Sequence, residues 1–406
     1  MKFNELFRGL DYGLDWEKIK NIEEFRILSE TPQSKRWHKE GDVLSHTIMV
    51  VKEMQECLKT ENRCKNDKRL LIMSALCHDL GKAVTTKWSD EQGDYITSHH
   101  DLEGERIVRR LFYNEFPILR EKLCYMVRYH MTLHHIFDEE DYEIRKKKMI
   151  TLSHGIVPIK DMLLLNFCDS KGTINDNEDN SAKKEKFNRI KSFAEELDCY
   201  NKKYYFRNRY ERIYFFNCNK ERFIDSFPSS SKNCDEDTPF YVTFMIGVAG
   251  AGKDNYIEER IPDYPVLSRD KIRTEIGIDG EKPMGNKEQE QRVTEIFNEQ
   301  LIKYCKERRD VIINNTNLLK KYRSKFMELI LPYRPYIIFV YVEPPKMEDC
   351  VERRKGQIDE NIIKRMWKQM EFPNATECDE LIFHKQENNN RYGFNYYLDS
   401  SQLPTS

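Results

Sequence analysis

The stretch FYVTFMIGVAGAGKD, residues 240–254, decides the architecture of the second half of the chain. It begins as a β-branched and aromatic run, the composition of a buried strand, and passes into a loop with glycine at 247, 250 and 252. Gly247, Gly252 and Lys253 satisfy the spacing G-x-x-x-x-G-K. Glycines so spaced let backbone N–H groups turn inward around phosphates, and the lysine reaches the β- and γ-phosphates of a nucleotide. The pattern gains weight from its setting, after an expected strand and before an expected helix. Outward from the loop, VIIN (311–314) and YIIFVYV (336–342) are further buried-strand candidates. Helical periodicity over Gln289–Cys305, Lys320–Leu331 and Asn361–Met370 separates them. Strands alternating with helices predict an α/β domain with a parallel sheet over 240–385, followed by a polar tail, 386–406.

Upstream the texture differs. SFPSSSKNCDEDTP (226–239) is the best linker in the chain, and the basic-aromatic stretch 201–223 before it, which either stacks bases and holds phosphates or is a structural connector, completes an expected connector over 201–239. Residues 1–200 read as all-helical, with a three-to-four apolar period over His46–Cys57, Leu70–Leu80, Asp101–Phe112 and Leu119–Tyr129. A polar loop, NDNEDNSAKKEK, and an amphipathic helix, FNRIKSFAEEL, close this region. A chain of 406 residues suits two or three domains.

Composition removes several classes. Charged residues make up 33% of the chain, and no run approaches the ~18–20 apolar residues of a spanning helix, so no membrane role is expected. The start, MKFNELFRGLDYGLDW, lacks the layout of a signal peptide. Eleven cysteines without a C-x-x-C pair indicate neither a disulfide framework nor a zinc ribbon, so a reducing cytoplasm is the expected location. With 67 basic and 69 acidic residues, any nucleic-acid partner must be held by local patches.

Nine of the ten histidines precede residue 155. Among them the ordered set His46, His78-Asp79, His100, His130 and Asp169 stands out, with CHDLGK (77–82) at the end of an apolar helix. Adjacent imidazole and carboxylate at a helix end can hold one metal, or two bridged by the carboxylate. Such a donor mixture suits Mn, Fe, Co, Ni, Zn or Cu better than an oxygen-liking ion. Water on such a metal becomes a nucleophile near neutral pH, as phosphoester hydrolysis requires.

This order of ligands resembles that of the HD phosphohydrolase superfamily over residues 30–175. With TPQSKRWHKEGDVLSHTIMV (31–50), it is similar to the N-terminal module of the bifunctional HD-domain polynucleotide kinases of bacteria. The resemblance implies that His46, His78, Asp79 and Asp169 hold a first metal. Asp79 then bridges to a second metal held by His100 and His130, and Lys82 contacts the scissile phosphate. His100 is preferred to His99 because it precedes Gly104 by four residues. His38 and His134 are left open between supporting, substrate-contacting and structural roles.

The same resemblance reads VLSRDKIRTEI (266–276) as the acceptor element of a polynucleotide kinase. Asp270 is then the general base on a 5′-OH, Arg273 the clamp on the adjacent phosphate, and Arg269 a support. VERRKGQIDENIIKRMWKQMEFP (351–373) resembles the family's lid, which implies that Arg353 and Arg354 close over the nucleotide. Two positions depart from the usual phosphate-loop pattern. Asp254 replaces the magnesium-binding Ser or Thr after the lysine, and Asn315 stands where a strand-end carboxylate is expected. Either the carboxylate has moved into the loop, or Asp254 merely complements a helix dipole.

The expected function is healing of RNA or DNA ends. The first domain would remove a 3′-phosphate or 2′,3′-cyclic phosphate, and the second would use ATP or another NTP with Mg²⁺ to phosphorylate a 5′-OH. A separate ligase could then join the products. The rivals are an HD nucleotidase fused to a small-molecule or nucleoside kinase, and an NTP-gated HD regulator.

Overall fold

The computed structural model describes residues 1–9, 12–175, 179–217, 239–277, 287–344 and 346–386, and the backbone of 394–399. Most of the expected linker, 226–239, and most of the polar tail lie outside them. The chain divides into two compact units, Met1–Tyr205 and the part from Phe206 onward.

In the first unit the helix Lys65–Cys77 is buried at every position from Leu70 to Cys77. A helix apolar all round belongs at the centre of its bundle. It packs against Val43–Lys59, Pro117–Tyr129 and Ile159–Gly172. Val43–Lys59 is started by Asp42, whose side chain accepts from the Ser45 backbone N–H at 2.8 Å. Its buried face includes Val43, Val50, Val51, Met54 and Leu58. Gly81 sets the next junction, because a Cβ there would stand 1.9 Å from the carbonyl oxygen of His100. The turn after the central helix therefore lies directly on the start of His100–Leu111.

The all-helical expectation needs one correction. Residues 86–97 form an antiparallel hairpin, β1 (Thr86–Ser89) with β2 (Asp94–Thr97), in which Trp88 pairs with Tyr95. Strands of four residues with no fully buried side chain leave little alternation to read.

The second unit holds a six-stranded sheet. Its strands are β3 (Tyr241–Ile246), β4 (Val266–Leu267), β5 (Val311–Asn314), β6 (Tyr336–Glu343), β7 (Glu380–Lys385) and β8 (Phe394–Asp399), in the order β4-β5-β3-β6-β7-β8. All neighbours are parallel except β7 and β8. Strand β3 lies between β5 and β6, so the loop leaving its C-terminal end opens where the strand order reverses, the usual place for a ligand on such a sheet. The tail thus supplies an antiparallel edge strand. Part of the expected connector is also built in: Arg209–Asn217 is a helix whose buried Arg212 donates to the Cys378 carbonyl at 2.9 Å, while Arg209 pairs with Asp379 at 2.6 Å. Its aromatic and basic character serves packing on this unit. Among the described residues, no helix is long and apolar enough to cross a membrane.

Candidate functional site

Five helical elements of the first unit converge on one buried cluster. His46 comes from Val43–Lys59, His78 and Asp79 directly follow the central helix, His100 starts its own helix, His130 follows Pro117–Tyr129, and Asp169 lies on Ile159–Gly172. His46 Nε2 stands 3.0 Å from Asp169 Oδ1 and 3.3 Å from His78 Nε2. Asp79 faces both sides, with Oδ2 3.3 Å from His78 Nε2 and Oδ1 3.6 Å from His100 Nε2 and 3.8 Å from His130 Nε2. His100 and His130 approach to 3.2 Å. All six expected metal-site residues are therefore together. His99 takes the left-handed cap position before the His100 helix, outside this cluster.

The supporting contacts orient the imidazoles. His78 Nδ1 donates to the Ala75 carbonyl at 2.9 Å and His130 Nδ1 to the Val127 carbonyl at 2.7 Å, which turns each Nε2 lone pair inward. Glu40 Oε1 sits 3.0 Å from His46 Nδ1 and 2.7 Å from His38 Nδ1. His134 Nε2 lies 2.8 Å from Asp169 Oδ2. His38 and His134 thus touch residues of the cluster. Sequence reasoning missed Glu40, whose only local signal is a carboxylate just before a helix start. Lys82 Nζ stands 2.8 Å from Asp79 Oδ2 and 3.0 Å from Gln33 Oε1.

Charge in this pocket is uneven. Burial alone would lower the His78 pKa, yet the Asp79 and Asp169 carboxylates push it up to about 10. Burial opposes ionisation of Asp79, but Lys82 and His78 hold its carboxyl well below the usual range. His130 is pulled down to about 3 by burial, with His100 and His78 adding to the effect. The buried Oδ2 of Asp79 lies between the Lys82 ammonium at 2.8 Å and His78 Nε2 at 3.3 Å. Imidazole nitrogens converging on one buried carboxylate, as His46 and His78 do with Asp79 and as His100 and His130 do with it, are a donor set that fits divalent metal ions.

The second site is built mainly from backbone. Gly250 and Gly252 have φ of 81° and 93°, the left-handed region that glycine enters at least cost. A Cβ on Gly250 would lie 2.5 Å from the Cys350 carbonyl oxygen, and one on Gly252 would lie 2.3 Å from Gln386 Nε2. Lys253 Nζ donates to the carbonyls of Gly247 and Val248, each at 3.1 Å. Burial pulls its pKa down to about 8, against the pull of Asp254 and, more weakly, Asp270. Arg353 Nη1 donates to the Gly250 carbonyl at 3.1 Å, and Arg354 Nη2 stands 3.8 Å from Asp254.

The structure alters the reading of the strand end. Asn314 contacts the loop carboxylate, its Nδ2 donating to Asp254 Oδ1 at 2.7 Å. Asn315, expected opposite Asp254, instead accepts from the Arg269 backbone N–H at 3.1 Å. One residue shifts the expectation because β5 ends at Asn314. Beyond β4, Arg273 pairs with Asp270 and makes a two-pronged contact with Glu290, at 2.8 and 2.9 Å. Glu290 also meets Arg269 at 3.3 Å, a part that no local motif marks.

A buried His–Asp cluster of metal-ligand type in one unit and a glycine phosphate loop in the other define a class: an enzyme joining a phosphohydrolase-type domain to a P-loop kinase-like domain. Residues 43–163 match the HD domain and residues 242–373 match the AAA domain. The chain is similar to the multifunctional CCA protein of Pasteurella multocida (strain Pm70), 29% identical over 161 residues, covering 37% of this chain and 34% of that protein. It is also similar to the multifunctional CCA protein of Actinobacillus pleuropneumoniae serotype 5b (strain L20), 32% identical over 90 residues, covering 22% and 20%. The chain thus spans about a third or less of the length of these relatives. Among solved structures, a chain of the Pnkp1/Rnl/Hen1 RNA repair complex is 24% identical with a TM-score of 0.29, covering 34% of this chain and 46% of that one. A gluconokinase from Sinorhizobium meliloti 1021 is 20% identical with a TM-score of 0.24, covering 33% and 77%.

Proposed function

We propose that this chain heals nucleic-acid ends, converting a 3′-phosphate or 2′,3′-cyclic phosphate to a 3′-OH and a 5′-OH to a 5′-phosphate. One observation supports this reading most: Asp270 and Arg273 pair on the short helix Arg269–Glu275, and the Asp270 carboxylate acts weakly on Lys253, so a candidate base and a phosphate-binding cation stand together in the unit that carries the phosphate loop. A nucleoside acceptor would give Arg273 no neighbouring phosphate to hold. A polynucleotide would, and Glu290 keeps the guanidinium plane oriented until that phosphate takes over one of its contacts.

In the first unit His46, His78, Asp79 and Asp169 would hold one divalent metal, and Asp79, His100 and His130 a second. Such metals neutralise phosphate charge and activate water for attack on phosphorus. Lys82, already beside Asp79, would meet a non-bridging phosphate oxygen. Glu40 and His134 would fix the rings and carboxylate that bind metal. In the second unit Lys253 would exchange its two carbonyl contacts for β- and γ-phosphate oxygens. Asp270 would take the proton from the attacking 5′-hydroxyl, and Arg353 and Arg354 would contact the nucleotide. Asp254 would serve the Mg²⁺ of the NTP, which alone makes a carboxylate tolerable beside a triphosphate. A ligase acting afterwards on both mended ends is the expected partner.

The test is to incubate the protein with NTP, Mg²⁺ and Mn²⁺ with RNA and DNA oligonucleotides bearing 5′-OH and 3′-phosphate ends, and to map both termini. Conversion of both ends is expected. Turnover of mononucleotides or nucleosides with both oligonucleotide ends untouched would favour the nucleotide-metabolism reading instead.

A further inference from the structure

The segment RWHK and its neighbours, just before the first metal-site helix, carry more than His38. Residues of 29–42, together with Tyr95 of β2, line a cavity of about 700 Å³. Its lining includes Gln33, Lys35, His38, Lys39 and Tyr95. Two of these reach the metal cluster through a single intermediary. Gln33 Oε1 accepts from Lys82 Nζ at 3.0 Å, and Lys82 stands 2.8 Å from Asp79. His38 meets Glu40 at 2.7 Å, and the same carboxylate oxygen lies 3.0 Å from His46. The cavity therefore adjoins the cluster on the side where Lys82 stands.

Its lining mixes charge, Lys35 and Lys39 standing with Glu30 and Asp42, and Tyr95 is its aromatic ring. Lys35, Arg36 and Lys39 lie within five residues, and the Arg36 guanidinium sits 5.1 Å from the Trp37 ring centre. The carboxylates near them are already engaged: Glu30 pairs with Arg26 at 3.1 Å, Asp42 caps its helix, and Asp94 accepts from Ser34. Across the cavity Tyr95 packs edge-on against Trp88, ring centres 5.1 Å apart. Trp37 is 50% exposed and Trp88 53%, and these are the exposed tryptophans among the described residues. Neither indole lines the cavity itself, but Trp88 meets the lining residue Tyr95 and Trp37 precedes the lining residue His38, so open indole at the cavity's margin can meet a flat partner. Bases stack on such rings whatever their sequence, while the lysines meet the backbone phosphates.

We infer that this cavity is the docking groove for the single strand that carries the phosphorylated 3′ end. Tyr95 and Trp88 stack its bases, and Lys35 and Lys39 meet the phosphates next to the one presented to the metal cluster. The inference rests on the end-healing reading and adds to it what the phosphohydrolase grips: several nucleotides of single strand rather than a lone phosphate.

The experiment uses the full chain loaded with Mn²⁺. The Tyr95→Ala/Trp88→Ala and Lys35→Ala/Lys39→Ala variants are compared with wild type on a 3′-phosphate oligonucleotide of about ten nucleotides and on p-nitrophenyl phosphate. Thermal melting checks folding. In the aromatic variant, KM for the oligonucleotide should rise roughly 10-fold or more relative to any change with the small ester. Tyr95→Phe should keep most of the binding, since it keeps the ring. The lysine variant should weaken oligonucleotide binding and flatten its dependence on salt. Equal losses on both substrates, or an unchanged oligonucleotide KM in both folded variants, would sink the groove while leaving end healing intact. Wild-type hydrolysis of the small ester with no action on any oligonucleotide would remove the end-healing reading and the groove with it.

Discussion

The two sites are built on opposite plans. The His–Asp cluster draws side chains from residues 46 to 169 into a buried centre, so its geometry exists only when five helical elements are packed. The phosphate loop draws mainly on backbone from 247 to 254, at the end of one strand. A side-chain site fails when a donor is removed, whereas a backbone site fails when the chain cannot take the required turn. That difference sets how each can be broken.

The largest effects should separate the two units. Asp79→Ala removes the bridging carboxylate and should cost the phosphoesterase more than the ~10–100-fold typical of losing an outer-shell partner, while 5′-phosphorylation survives. Lys253→Ala should do the reverse. Terminus mapping on both variants checks it; one substitution silencing both activities in a folded protein would contradict independent sites.

Next comes Glu40→Gln, which weakens the contact orienting His46. A loss of roughly 10–100-fold in metal affinity or phosphoesterase rate is expected. Metal titration by calorimetry reads the affinity directly, and wild-type affinity would leave Glu40 with a purely structural part.

The loop carboxylate can be probed across a magnesium titration. Asp254→Ala should lower the kinase rate and raise its magnesium requirement, and adding Asn314→Asp should restore part of both. If rate and requirement stay fixed, Asp254 does no more than complement its helix, worth about 0.3–1 kcal/mol.

The smallest effect is a proton. Free Lys253 titrates near 8 because burial disfavours its charge, and phosphate binding favours that charge. The charge is present below this value and is lost as pH rises through it. NTP binding at about pH 8.5 should therefore take up a fraction of a proton, and affinity should fall as pH rises further. Calorimetry in buffers of different ionisation enthalpy measures the uptake; no uptake would place the lysine's ordinary pKa in the free protein.

The contrast also explains what could be read from residues. The loop was legible because its requirements are local: glycine spacing, a strand before and a helix after. The order His46, His78-Asp79, His100, His130, Asp169 was legible as a set, although no spacing alone places residue 46 beside 169. Gly81 and the His100 backbone supply the close approach that makes His100, rather than His99, a member. Glu40 and Glu290 were not legible, since a surface-like carboxylate acquires its partner only through tertiary packing. Strand β4, two residues long, offered no periodicity, and the Asn314–Asp254 contact depended on where β5 stops.

The braces around the phosphate loop have a kinetic consequence. Gln386 Nε2 donates to the Ala251 carbonyl at 2.9 Å, and its Oε1 accepts from Arg353 at 2.9 Å, while Lys253 ties down the start of the loop. The loop is held from behind by the residue that follows β7 and across its mouth by its own lysine. A loop already fixed in shape leaves little conformational entropy to lose when a nucleotide arrives. Association is then limited by encounter and orientation rather than by waiting for a rare open form, and discrimination between nucleotides falls to how quickly each one leaves.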